Sequence, residues 1–273
     1  MGLLARGGVS LTVSVSPGIT PLAYQFWNRP LSSVLVDEAT LRRGKPAAHS
    51  KWGASITILV GDYLLARALS ISAVTGRLRI VKILAGLTEN MSQGEVHQLM
   101  RKGDINLTEA EYNEVIRRKT AMLFEAACRV SAILADATEE QETALSEFGY
   151  NLGIAFQMAD DLFDYTLETS EFGKEVGADL REGKLTLPLI YALKQAPSGD
   201  RDIMIKIIQD PQFSEADFKT LTGLLEKYGG LTYTHNTATS FIDTAKKALA
   251  VFDPSATKDT MLDIADYVLN RSV

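Results

Sequence analysis

Three aspartates near the middle of the chain, Asp160, Asp161 and Asp164, stand within five positions of one another. Residues three and four apart are neighbours on a helix surface, so Asp160 and Asp164 share a face with Gln157 and Asp161 beside them. Stepping back by four from Asp160 gives Phe156, Leu152 and Phe148, so one stripe changes from aromatic to carboxylate within a turn. Carboxylates this close repel each other, and near neutral pH they make sense with a cation between them. Hard oxygen ligands on one face suit Mg²⁺, which keeps several waters and commonly completes its shell with substrate phosphates. A solvated acidic face is the bland alternative. It is weakened because these acids continue an apolar stripe instead of opposing it.

Lys119 follows the same logic. It lies inside a stripe of Tyr112, Val115, Ile116, Met122, Leu123 and Ala126. A lone charge there is costly unless paired, although a lysine can also snorkel to water. Thr120 adds a hydroxyl beside it. Further on stand Gly173-Lys174 and Gly183-Lys184, and near the start Arg42-Arg43 precedes Gly44. A loop lysine is usually just solvated, and two arginines at a helix C-terminus suit its dipole. Downstream of a magnesium-type carboxylate cluster, the lysines also read as charges that neutralise phosphate.

The elements that must carry these residues are helical. The chain has 273 residues, 46% hydrophobic and 23% charged, an ordinary globular composition with room for one large domain. Its net charge of -6 gives no electrostatic reason for general nucleic-acid binding. The single cysteine, Cys128, excludes an internal disulfide and fits a reducing, cytoplasmic compartment. Ile56 to Val74 is the most apolar stretch, but Asp62 and Arg67 within it make it a poor membrane span. A helix buried inside the fold is the expectation there.

Residues 1–30 differ from the rest: no acid, two arginines, three prolines, and an alternating Val9–Leu11–Val13–Val15 pattern. They are expected to form a poorly ordered tail, with residues 31–273 as the helical domain. Helices are expected over Leu31–Arg43, Ala54–Thr75 and Leu78–Met100. Capping boxes at Thr108/Glu111 and Thr138/Gln141 open two long helices, to about Ala135 and Tyr165. A glycine-containing loop runs from Thr166 to Thr186, and Pro188 starts the next helix. Pro211–Gly230, Thr232–Phe252 and Lys258–Asn270 follow.

With these residues in place a resemblance becomes specific. Gln157-Met158-Ala159-Asp160-Asp161-Leu162-Phe163-Asp164-Tyr165, Phe172-Gly173-Lys174 and Gly177-Ala178-Asp179-Leu180-Arg181-Glu182-Gly183-Lys184 resemble the second aspartate-rich region of trans-polyprenyl diphosphate synthases. Val36-Asp37-Glu38-Ala39-Thr40-Leu41-Arg42-Arg43-Gly44-Lys45-Pro46 resembles the tail of the first region. Gly61-Asp62-Tyr63, Gly94-Glu95-Val96-His97-Gln98-Leu99 and Lys119-Thr120 also match, so the likeness spans about Leu31 to Val273. It is nearest in character to long-chain members such as octaprenyl and decaprenyl synthases. The resemblance implies an all-α fold, antiparallel helices around a central cavity, and a homodimer without a membrane span. It implies condensation of an allylic prenyl diphosphate with isopentenyl diphosphate, using Mg²⁺. By matched position, Asp37, Asp160, Asp161 and Asp164 hold metal. Arg42, Lys119, Thr120, Gln157, Lys174 and Lys184 serve the allylic diphosphate, and Arg43 contacts isopentenyl diphosphate.

The sequence departs from that pattern in one region. With Asp37 on the last aspartate of the family's first Asp-Asp-x-x-Asp motif, Ser33 and Val34 occupy the first two, and Ser32 replaces the histidine before them. Nothing in residues 1–30 resembles the family's Gly-Gly-Lys-x-x-Arg motif. The expectation is therefore an N-terminally atypical bundle whose activity is impaired. The alternatives are a non-catalytic partner of an intact synthase, or a truncated inactive product.

Overall fold

The computed structural model describes residues 47–166 and 177–270 in full, and the backbone alone at 3–4, 10–11, 41–42 and 45–46. Extended structure among the described residues is confined to two short antiparallel pairings. Leu3–Leu4 (β1) pairs with Ser10–Leu11 (β2), and Leu41–Arg42 (β3) with Lys45–Pro46 (β4). The second corrects the expected Leu31–Arg43 helix at Leu41 and Arg42, which are extended and paired. Only two residues, one of them glycine, separate the paired segments, which matches the shortest hairpin connection.

Everything else described is helix and connection. Ala48–Trp52 (α1), Ala54–Val74 (α2) and Leu78–Met100 (α3) come first. Glu109–Ile116 (α4) leads through a π turn at Arg117–Ala121 into Met122–Leu134 (α5). Glu139–Thr166 (α6) is the longest helix among the described residues, at 28 residues. Ala178–Arg181 (α7), Leu187–Gln195 (α8), Ser198–Ile208 (α9), Glu215–Lys227 (α10), Gly230–Ala248 (α11) and Ala256–Asn270 (α12) complete the order. Both capping boxes form. Thr108 Oγ1 accepts from the Glu111 amide at 3.2 Å while Glu111 accepts from the Thr108 amide at 2.9 Å. Thr138 and Gln141 exchange the equivalent bonds at 3.0 and 3.2 Å. Ser214 and Asp217 make a third, so α10 starts later than Pro211.

The centre of the fold is α6, packed between α5 and α11. Phe148, Leu152, Ala155 and Met158 of α6 join Phe124 and Cys128 of α5 and Ala238 and Ile242 of α11 in one buried cluster. Burial pushes the Cys128 thiol up to about 12, which suits an inert core residue. Two glycines let α5 and α6 approach closely. A Cβ on Gly149 would lie 2.6 Å from the Phe124 carbonyl oxygen, and one on Gly153 2.6 Å from Ala121 Cα.

Two expectations change here. The single helix read from Thr108 to about Ala135 is interrupted by the π turn. And α2 is not buried within the chain: Ile56, Leu59 and Tyr63 are 53, 66 and 65% exposed. Among the described helices it packs mainly against α1 and α3. By length and composition it is also the one described helix apolar enough to cross a membrane.

Candidate functional site

The C-terminal third of α6 carries Asp160, Asp161 and Asp164 where the helix dipole disfavours acids. They sit there because the apolar stripe drives Phe148, Leu152 and Met158 into the core, which turns Gln157 and Asp161 toward α4 and the π turn. A cleft lies along that seam. It is lined by Lys119, Thr120, Gln157, Asp160, Asp161 and Lys184, together with Tyr112, Gln98, Arg101, Lys102 and Asp179.

Lys119 is brought into the cleft by the π turn, which inserts one extra residue and is a frequent device at functional sites. Its Nζ lies 2.9 Å from a Glu95 carboxylate oxygen and also donates to Gln98 Oε1. Both partners are on α3. Gly94 makes that approach possible, since a Cβ there would lie 2.9 Å from Arg118 Cβ and 3.3 Å from the Lys119 amide. Thr120 Oγ1 donates to Gln157 Oε1 at 2.9 Å. Gln157 Nε2 in turn donates to Asp161 Oδ1 at 2.8 Å, and Tyr112 Oη donates to Asp161 Oδ2 at 2.6 Å.

Asp161 is 3% exposed, and its pKa lies well above the usual carboxylate value, first because of burial and then because of the Asp179 charge. Burial and the Asp161 charge likewise raise Tyr112. The donors that oppose this at Asp161 are neutral, so a nearby cation is the group that would stabilise its ionised form. Asp160 is exposed and borders the same cleft. No three carboxylate, histidine or cysteine groups among the described residues converge tightly enough to cage an ion unaided. That donor set fits a magnesium ion that takes one or two carboxylates and fills its shell with water and phosphate.

Asp164 does something the spacing did not predict. Its two carboxylate oxygens accept from the Ala178 and Asp179 amides, each at 3.1 Å, which holds the start of α7 against the end of α6. Asp179 then faces Lys184, 3.5 Å away, and Lys184 also pairs with Glu182. The Gly183 carbonyl accepts from the Gly103 amide at 2.8 Å, which ties the Lys184 turn to the end of α3. Asp37, Arg43 and Lys174 lie outside the described residues, and of Arg42 only the extended backbone is described. Tyr112, Glu95 and Asp179 were present in the sequence without a role. Their signal is a partner 49, 24 or 18 positions away, which no local period displays.

A family model described as polyprenyl synthetase matches residues 34–225. The chain belongs to the polyprenyl synthetase family. Members of this family are trans-prenyltransferases, and the fold is the all-α isoprenoid synthase fold. The chain is 37% identical over 238 residues to the octaprenyl diphosphate synthase of Haemophilus influenzae, covering 87% of itself and 72% of that protein. It is 35% identical to the Escherichia coli octaprenyl diphosphate synthase, with 87% and 73% covered. The crystal structure of a decaprenyl diphosphate synthase from Rhodobacter capsulatus superposes with a TM-score of 0.87 at 38% identity, over 94% of this chain and 79% of that one. A Caulobacter crescentus polyprenyl synthase complexed with calcium and isoprenyl diphosphate matches with a TM-score of 0.87 at 37% identity, over 94% and 78%.

Proposed function

We propose that this polyprenyl synthetase binds an allylic prenyl diphosphate together with Mg²⁺ and condenses it with isopentenyl diphosphate, slowly, in the cytoplasm. The observation that carries this reading is the convergence of Lys119, Thr120, Gln157, Asp160, Asp161 and Lys184 on one cleft. Lys119 and Lys184 reach the cleft with side chains only 10 and 13% exposed, where a cation acts on a phosphate with little screening. Asp160 and Asp161 offer oxygen ligands, and Thr120 and Gln157 hold Asp161 in register. The metal, when bound, supplies positive charge at the departing pyrophosphate. The lysines share that task, so the allylic C–O bond breaks and pyrophosphate leaves with the bonding pair. The isopentenyl double bond then forms the new C–C bond, which leaves a cation on its inner carbon, and the departed pyrophosphate takes a proton from the carbon beside that cation to restore the double bond.

Ser33 and Val34 set the rate. They stand where the family pattern has two metal-binding aspartates, and removing one preorganised charge contact costs on the order of 10²–10³ in rate. Incorporation of labelled isopentenyl diphosphate, with farnesyl diphosphate and excess magnesium, tests both statements. Slow turnover that Asp160→Ala abolishes is expected. Turnover at ordinary synthase rates would refute the part assigned to Ser33 and Val34, and turnover indifferent to Asp160 would refute the site. A second reading, favoured by the exposed apolar face of α2, is a subunit that pairs with a fully active synthase. Mixing the chain with such an enzyme separates the two.

A further inference from the structure

Tyr112 is buried, 3% exposed, and lies on α4 seven residues before Lys119. A tyrosine hydroxyl in a core needs a hydrogen-bond partner, and a neutral hydroxyl is enough. Tyr165 illustrates this nearby, since its hydroxyl is 3.0 Å from Thr186 Oγ1. Tyr112 is different. Its hydroxyl is given to Asp161, a carboxylate that already receives Gln157 on its other oxygen. The connected run is Thr120 to Gln157 to Asp161, closed from the far side by Tyr112. Gln157 must turn its oxygen to Thr120 and its nitrogen to Asp161, so the amide cannot flip without losing both bonds. Each Asp161 oxygen therefore holds one donor and keeps another acceptor direction in hand, and the carboxylate plane is fixed from two sides.

We propose that Tyr112 is a positioning residue for divalent-cation binding: it locks the Asp161 carboxylate in the orientation in which its remaining lone pairs meet the metal. The inference rests on the reading of the cleft as a metal and diphosphate site. The capping box at Thr108 and Glu111, which Arg101 pairs with from the end of α3, anchors the first turn of the helix that carries the phenol. Groups that orient a metal ligand from behind typically change metal affinity by about 10–100-fold when removed.

Calorimetry with magnesium and inorganic pyrophosphate on the full chain gives the test, without requiring turnover. Parent protein should bind pyrophosphate in a magnesium-dependent manner that Asp160→Ala abolishes. Tyr112→Phe should need roughly 10–100-fold more magnesium. Tyr165→Phe, which removes the hydroxyl of the other buried tyrosine among the described residues, should match the parent. Asp161→Asn provides the second variant, because its amide oxygen still accepts from Tyr112 without bringing a charge; it too should raise the magnesium requirement. If Tyr112→Phe matches the parent, or if Tyr112→Phe and Tyr165→Phe weaken binding alike, the positioning role is overturned while the site stands. If Asp161→Asn leaves the requirement unchanged, Asp161 is no ligand and the proposal falls. A parent that binds no pyrophosphate with magnesium overturns the site and the proposal together.

Discussion

Glu114 shows how much one side chain contributes to placing the cleft. It accepts from Arg117 Nε at 2.7 Å and Nη2 at 2.8 Å, and also from Arg118, so both arginines of the π turn are held by one carboxylate on the preceding helix. The Arg117 bonds are the main reason that Glu114 lies at about 2 instead of its ordinary 4.5, and Arg118 adds to them against the cost of burial. A carboxylate lowered on folding stabilises the fold above its unfolded value and loses that contribution as pH falls toward the folded one. The side chain is 34% exposed, so solvent screening reduces the effect to about 1 kcal/mol. Urea unfolding of Glu114→Gln and parent should therefore differ by about that amount above pH 4.5 and converge near pH 2. A gap that widens on acidification would contradict the assignment. The sequence made Lys119 and the acids of α6 legible because each sits inside an apolar stripe, where a charge is locally anomalous. It could not show Tyr112 as the partner of Asp161, or Glu95 as that of Lys119, since those pairs exist only after three helices have packed.

At the scale of elements, the spacing between α5 and α6 is set by glycine. Ala121 closes the π turn, and Gly153 sits directly against it. Gly153→Ala forces a Cβ to within 2.6 Å of backbone, which a rotamer change cannot relieve, and should cost about 2 kcal/mol by overpacking. It should also weaken magnesium-dependent pyrophosphate binding, because Thr120 rides on the displaced turn. Gly223, in the middle of α10, has open space where a Cβ would stand, and Gly223→Ala should stabilise by about 0.5–1 kcal/mol. Thermal unfolding of the two variants compares them directly, and equal shifts would show that close approach plays no part. Capping boxes and Pro188 were readable because they are local rules of backbone hydrogen bonding. The β3–β4 pairing was not, because Leu41–Arg42 has no period of its own to separate the end of a helix from a short extended pair.

For the whole molecule the decisive surface is α2. Its composition signalled burial, but a helix buried between subunits reads the same as one buried within a chain, and sequence period cannot separate them. Ile56, Leu59 and Tyr63 form an exposed apolar face of the kind that marks association sites. We expect the protein to be a dimer in light scattering at micromolar concentration. Leu59→Glu with Tyr63→Glu should shift it to monomer while circular dichroism stays helical. A stable parent monomer would leave α2 without that role.

The π turn carries a consequence for how this protein tolerates change. It is in effect one residue more than an α-helix needs over the same span, so its cost and its benefit are both matters of length. Substituting Arg118 by alanine removes side-chain contacts and leaves the backbone count intact. Deleting Arg118 leaves the residue count of a plain α-helix over that span, so the bulge closes while α4 and α5 keep their faces. In the deletion, Tyr112 still faces Asp161, but Lys119 and Thr120 lose the bulge that aims one at Glu95 and the other at Gln157. Arg118→Ala should therefore retain pyrophosphate binding near the parent value, and the single-residue deletion should abolish it even where the protein still folds. The cleft is thus protected by residue count more than by residue identity, and one lost codon there would do more damage than several miscoded ones.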